Sequence, residues 1–287
     1  MSSPDLPVSF AFLARWTSDT SASSFTTPLA SIPTAAKSMP AGRTPDKVVA
    51  QNASFKEQFG SEIVKISVGR ESVKQEFHIH KNLLCQKAPV FDRMFSANFT
   101  EGQKGEAELP ENDPQAFDAF AAWLYRDAVA TLGNENEGVD RRYIQLFIFA
   151  EKYGIIRLAE NTMDAFLKNQ TIIKTRPGPE SSAMAYERTY VGSKLRLYVA
   201  RCWAYAVLQQ ETEVWTSASL VPIGDKAQEL LLDGLKLLRN LNKVKNSAGK
   251  KLIKNPKLAA PCDYHQHGKD EVCPYTKDKK RKLDESN

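Results

Sequence analysis

The chain predicts an α+β fold: a small β-sheet flanked by helices, continued by an α-helical C-terminal extension between disordered termini. Three observations predict it. Residues 63–68 and 75–80 alternate apolar and polar positions as half-buried strands do. From residue 114 onward the apolar spacing becomes three and four, the period of amphipathic helices. After a Pro/Gly/Ser-rich break near residues 175–183 only the helical period returns.

In the first strand Val64, Ile66 and Val68 share one face, and Gly69 supplies a turn. The second strand places Phe77 and Ile79 inward and His78 and His80 on the opposite face, so the two form an antiparallel hairpin. Lys81, Leu83 and Leu84 enter a helix. Pro89 opens another, carrying Val90, Phe91, Met94 and Phe95, because proline is tolerated in a first turn. Residues 106–109 are short enough to be a third strand.

Asp113-Pro114 is a helix-start signal, followed by the stripe Phe117, Phe120, Ala121, Leu124 and Tyr125. Asp140 is expected to cap a helix bearing Tyr143, Leu146, Phe147 and Ala150, with Gly154 at its end. Leu158, Ala159, Met163, Phe166 and Leu167 mark one more amphipathic helix. Beyond the break, Leu195, Tyr198, Val199, Cys202 and Ala206 define a face that Leu197 and Trp203 widen. Asp225 is expected to cap a last helix with Ala227, Leu230, Leu231, Gly234, Leu235, Leu238 and Leu241 on one stripe.

The ordered set Ile79-His80-Lys81, Leu83-Leu84, Ala88-Pro89, Phe91 to Phe95 and Leu124-Tyr125 resembles the BTB (POZ) domain over residues 58–170. The family usually has Asp just before its first strand, where this chain has Ser61-Glu62. The resemblance implies protein–protein interaction without catalysis, and the chain looks most like the compact stand-alone BTB proteins of filamentous fungi. The domain organisation that follows is a Ser/Thr/Pro-rich segment over 1–50, a BTB/POZ domain over 51–170, a helical extension over 171–255 and a basic, flexible tail over 256–287.

Composition narrows the class. A hydrophobic fraction of 42% supports a normal core, and no apolar run is long enough to span a bilayer. Four scattered cysteines do not make a disulfide framework, so reduced thiols are expected. The first 50 residues are too poor in large apolar side chains to offset chain entropy. Read as a mitochondrial presequence the segment is weak, with only Arg15, Lys37 and Arg43 basic before Asp46. The net charge of +5 belongs to the C-terminal end: residues 243–287 carry +6, which leaves −1 for the rest.

The resemblance also implies the sharpest candidate site. Phe99, Thr100 and Glu101 resemble the hydrophobic-x-Glu signature with which some BTB domains engage the cullin scaffold of ubiquitin ligases. An aromatic anchor would enter an apolar groove while a carboxylate fixes orientation at the rim. The plainer reading is a loop in which Phe99 covers the core. BTB domains also dimerise through a helix before the first strand, and residues 50–59 offer part of one, so a homodimer is a second expectation.

Cys262, His265, His267 and Cys273 have the donor types for tetrahedral zinc, although their spacing matches no standard finger; a polar tail packing through Tyr264 and Tyr275 is the alternative. Lys279, Lys280, Arg281 and Lys282 resemble a short nuclear-import signal, with a solvated tail and a cytoplasmic protein as the alternative. His78 and His80 form a conceivable metal pair, but a hydrogen-bonded boundary histidine fits His80 better. Cys85 and Cys202 read as small buried hydrophobes.

No phosphate loop, nucleophile elbow or dinucleotide fingerprint is present in the sequence, so neither an enzyme nor a bound cofactor is expected. Direct nucleic-acid recognition is not expected either, because the basic tail lacks interleaved aromatics. The leading expectation is a substrate adaptor for a cullin-RING ubiquitin ligase, and the alternative is a nuclear oligomerising scaffold or transcription-associated regulator.

Overall fold

The middle strand organises the sheet. The computed structural model describes residues 54–132, 138–208, 216–218, 227–241 and 254–266. A short helix α1 (Phe55–Phe59) comes first, closed by a capping box in which Ser54 accepts from the Glu57 amide and Glu57 accepts from the Ser54 amide. Strand β1 (Ile63–Val68) then pairs antiparallel with β2 (Gln75–His80), with Val64 opposite Ile79 and Ile66 opposite Phe77. On its other side β1 pairs in parallel with β3 (Glu106–Leu109), giving the order β2-β1-β3. A parallel neighbour needs a long crossover. Helices α2 (Lys81–Lys87), α3 (Pro89–Met94) and α4 (Thr100–Lys104) supply it.

The expected inner face is the observed one: Val64, Ile66 and Val68 are fully buried, and Ile79, Ala107 and Leu109 nearly so. Helix α5 (Pro114–Arg126) begins where Asp113 accepts from the amides of Gln115 and Ala116, at 2.8 and 3.0 Å. Its Phe117 lies 4.8 Å from the Phe77 ring and also meets Phe120 and Phe149, while Phe120 stacks on Phe91. The second Asp113 oxygen accepts from Gln145 of helix α6 (Val139–Lys152), so one cap also ties two helices together.

Two expectations are corrected. Asp140 does not cap α6: Gly138, with φ of 79°, stands at the cap position and Asp140 lies inside the first turn. Its carboxylate turns inward to accept from Gln170 at 3.0 Å and from the Gly178 amide, and burial raises its pKa. The break also ends sooner than the sequence indicates. Pro179 is not a terminator but the first residue of helix α8 (Pro179–Arg188), which contains Ser181 and Ser182.

Helix α7 (Ile156–Ile172) runs beside α6, and the extension is built onto this pair by α8, α9 (Lys194–Val207) and α10 (Gln228–Leu241). One apolar core runs through both parts, from Val64 to Leu230 and Tyr264. The nearly buried Arg196 joins the extension's helices. Its guanidinium donates to the carbonyls of Tyr186 and Thr189 and to the Thr189 hydroxyl, pairs with Glu229 on α10, and lies 4.9 Å from the Tyr186 ring centroid. A cation so placed is tolerable only because its donors are met.

The site of Asp225 lies outside the described residues. At the start of the stretch expected to be a tail, residues 256–266 dock through two 3-10 turns, Pro256–Leu258 and Pro261–Tyr264, against α7 and α9. Tyr264 is buried with its ring 5.1 Å from that of Tyr198. Among the described residues, no helix is long and apolar enough to cross a membrane.

Candidate partner-binding site

Phe99, Thr100 and Glu101 stand together where the crossover turns from α3 into α4. Phe99 occupies the N-cap position of α4, and Glu101 falls in that helix's first turn, where a carboxylate suits the positive end of the peptide dipoles. Phe99 and Glu101 are half-buried and Thr100 is exposed, so the three present one aromatic and one acidic side chain at the surface. Backbone bonds set the turn: Phe99 N donates to the Ser96 carbonyl at 3.1 Å, and Gln103 N to the Phe99 carbonyl at 3.1 Å. The Gln103 side chain adds a bond to the Ala97 carbonyl at 3.4 Å.

Gly102 explains why this turn is so tight. A Cβ built there would lie 1.9 Å from the Ser96 carbonyl oxygen, a distance no side chain tolerates. The signal was present in the sequence as a glycine directly after Glu101, but only the close approach of α4 to the end of α3 gives it meaning. At the far end Gly105, with φ of 66°, turns the chain into β3.

A second surface gathers three aromatic side chains that the sequence separates. His80 meets Tyr125 twice: its amide donates to the phenolic oxygen at 3.2 Å, and Nδ1 lies 2.9 Å from it. Phe59 of α1 stacks on Tyr125 at 5.9 Å and meets the His80 ring edge-on at 5.6 Å. Tyr125 remains 43% exposed, and so does much of Ile63, the residue opposite His80 in the sheet. His80 is therefore a hydrogen-bonded boundary histidine. Glu62, where the family has Asp, pairs with Lys81 at 2.8 Å and keeps the charge at the entry to β1.

Other candidates resolve in different ways. His265 is buried, with Nε2 3.0 Å from the Asp164 carboxylate, while Cys262 is half-buried on the preceding turn; His267 and Cys273 lie outside the described residues. Among the described residues, no three His, Cys, Asp or Glu side chains converge as metal ligands. Lys279, Lys280, Arg281 and Lys282 lie outside the described residues as well. Cys202 is buried and its thiol is pushed up to about 12 by burial, so it packs as a hydrophobe; Cys85 is half-buried, pushed up to about 11 by burial and then by Asp92.

With this geometry in hand, comparison with known proteins gives a consistent result. Residues 54–170 match the family model of the BTB/POZ domain. The chain is similar to mouse (Mus musculus) "TD and POZ domain-containing protein 1-like", 28% identical over 97 residues that make up 34% of this chain and 25% of that protein. It is 27% identical over 97 residues to mouse "TD and POZ domain-containing protein 1", with the same coverage. The chain thus spans about a quarter of the length of the curated relatives it matches. A three-stranded sheet, its helical crossover and the helices through α7 coincide with the matched span, and residues 54–170 of this chain are a BTB/POZ domain.

Proposed function

We propose that this protein is an adaptor whose BTB domain engages a cullin scaffold through Phe99 and Glu101, leaving other surfaces for a substrate. BTB domains are interaction modules, and protein–protein interaction follows from the domain itself. The cullin reading rests on one observation: an accessible aromatic and a first-turn carboxylate lie two residues apart on a turn fixed by Gly102 against Ser96. A rigid aromatic anchor loses little entropy on docking, and a carboxylate at the rim sets orientation.

The test is a calorimetric titration of the full chain with a cullin N-terminal domain, beside Phe99→Ala and Glu101→Lys. The expected result is saturable binding that each substitution weakens by about tenfold or more, near 1.4 kcal/mol, with an unchanged circular dichroism spectrum. Absence of binding at concentrations of roughly tens of micromolar overturns the reading.

A second reading is favoured by the Phe59–Tyr125 surface. These stacked rings, beside the half-exposed Ile63, suit self-association through α1 and the start of the sheet, making the protein an oligomerising scaffold. In this reading Lys279 to Lys282 carry it to the nucleus. Light scattering decides: a dimer that Tyr125→Arg converts to monomer supports the scaffold, and a wild-type monomer at high concentration rejects it.

A further inference from the structure

The tip of the β1–β2 hairpin and the starts of α5 and α6 border an open cavity of about 540 Å³. That size falls among the clefts that hold ligands, roughly 300–1,000 Å³. Its three walls are tied to one another. Ser72 and Val73 come from the 3-10 turn Glu71–Val73, which joins β1 to β2. Gly69, with φ of 87°, lets this turn lie against α5: a Cβ there would stand 2.9 Å from Pro114 and 3.1 Å from the Val73 carbonyl oxygen. Arg70 pairs with Glu111 just ahead of α5, and Asp113 accepts from the Gln145 side chain of α6 at 2.8 Å. Glu71 holds a left-handed backbone with φ of 48°, which a non-glycine residue keeps only where its surroundings impose it.

The lining is positive. Arg141 and Arg142, both exposed, reach the cavity from the first turn of α6. Among the described residues, neither forms an ion pair with a carboxylate. Arg142 donates once, to the Leu132 carbonyl at 3.4 Å. The nearby acids are engaged elsewhere. Asp113, in the wall itself, accepts from the amides of Gln115 and Ala116 and from Gln145. Asp140 turns inward to Gln170.

We propose that this cavity is the docking site for an acidic peptide segment of a partner protein, whose Asp or Glu carboxylates meet Arg141 and Arg142. A guanidinium presents a planar fork of N–H donors that matches a carboxylate bidentately. Gln75, Gln115 and Ser72 add amide and hydroxyl groups for the peptide backbone. Val73, 59% exposed, adds an apolar contact at the rim. The Asp113 carboxylate in the same wall favours a carboxylate over a phosphate dianion, whose doubled charge it would repel more strongly. Because the walls are already tied together, docking orders little beyond the two arginine side chains. The inference rests on the adaptor reading only for the partner's role as substrate, and the cavity shares no residue with Phe99–Glu101.

The experiment is fluorescence polarisation of the full chain with a labelled peptide in which two glutamates flank a valine, beside its glutamine counterpart. Saturable binding with a Kd below about 100 μM is expected, and the glutamine peptide should not bind. Arg141→Gln and Arg142→Gln should each weaken binding by about tenfold while melting as wild type does. Arg188→Gln, at an exposed position on α8, should leave it unchanged. Ser72→Trp fills the cavity without changing its charge and should weaken binding as well. Indifference to Ser72→Trp reduces the effect to general surface charge and overturns the proposal. Tighter binding of a peptide with phosphoserines in place of the glutamates also overturns it, in favour of a phosphate site. Phe99→Ala should leave peptide binding intact, so loss of cullin binding alone leaves this site standing. Absence of peptide binding, with cullin binding retained or not, rejects the site by itself.

Discussion

His265 Nε2 lies 3.0 Å from the Asp164 carboxylate, joining residues 101 positions apart in the chain. The imidazole is 1% exposed, and the next amide, Gln266 N, donates to Glu160 at 3.0 Å on the same helix. Together with Tyr264 these contacts hold residues 254–266 on α7. His265→Ala should cost about 2–3 kcal/mol, because it removes a charge-assisted bond and a buried ring. Urea midpoints measure the loss, and limited proteolysis should show faster cleavage between residues 254 and 266 than in wild type.

Gly234 and Trp203 bring α10 and α9 into contact. A Cβ at Gly234 would lie 2.2 Å from the indole, which has to move or push the helices apart. Gly234→Ala is therefore expected to destabilise by about 1–3 kcal/mol, even though alanine is the better helix former. A melting temperature equal to or above wild type contradicts this packing.

Tyr125 joins α5 to the end of β2 through its hydroxyl. Tyr125→Phe keeps the stacking on Phe59 and removes the partner of the His80 amide and Nδ1. The expected cost is about 1 kcal/mol, read from chemical denaturation. Tyr125→Ala should cost more, since the stacked ring goes too.

Asp140 gives a pH signature. Burial raises its folded pKa above the ordinary 3.8, outweighing the bonds from Gln170 and Gly178. A raised pKa means the folded state favours the protonated form. Its contribution is fully present below the unfolded pKa and is lost as pH rises through the raised folded value. Asp140→Asn removes that titration, so its stability relative to wild type should improve as pH is taken from about 3 to about 7. A stability difference independent of pH refutes the assignment.

Much of the fold was legible because burial imposes a period on the sequence. Val64, Ile66 and Val68 alternate because one sheet face is buried, and Phe117, Phe120 and Leu124 repeat because α5 lies on it. Local chemistry misled where one residue type serves two ends. Pro179 after Pro177 and Gly178 resembles a break, yet proline also starts helices, and here it starts α8. Asp140 resembles a cap, but its carboxylate is used by Gln170, 30 residues away. The Phe99–Glu101 triplet was visible as a pattern, whereas its rigid setting was not, because the approach of Gly102 to Ser96 depends on how α4 folds back on α3.

The sequence by itself determined the class, the sheet hairpin and the helical stripes, since each follows from the spacing of apolar residues along one element; the BTB resemblance rested instead on an ordered set of residues from Ile79 to Tyr125. Only the tertiary structure decided which distant polar groups meet: His80 with Tyr125, Asp140 with Gln170, and His265 with Asp164. The physical reason is that apolar burial is non-directional and leaves a periodic trace in the chain. Hydrogen bonds and ion pairs need particular atoms within about 3 Å, and the chain's spacing does not encode those distances.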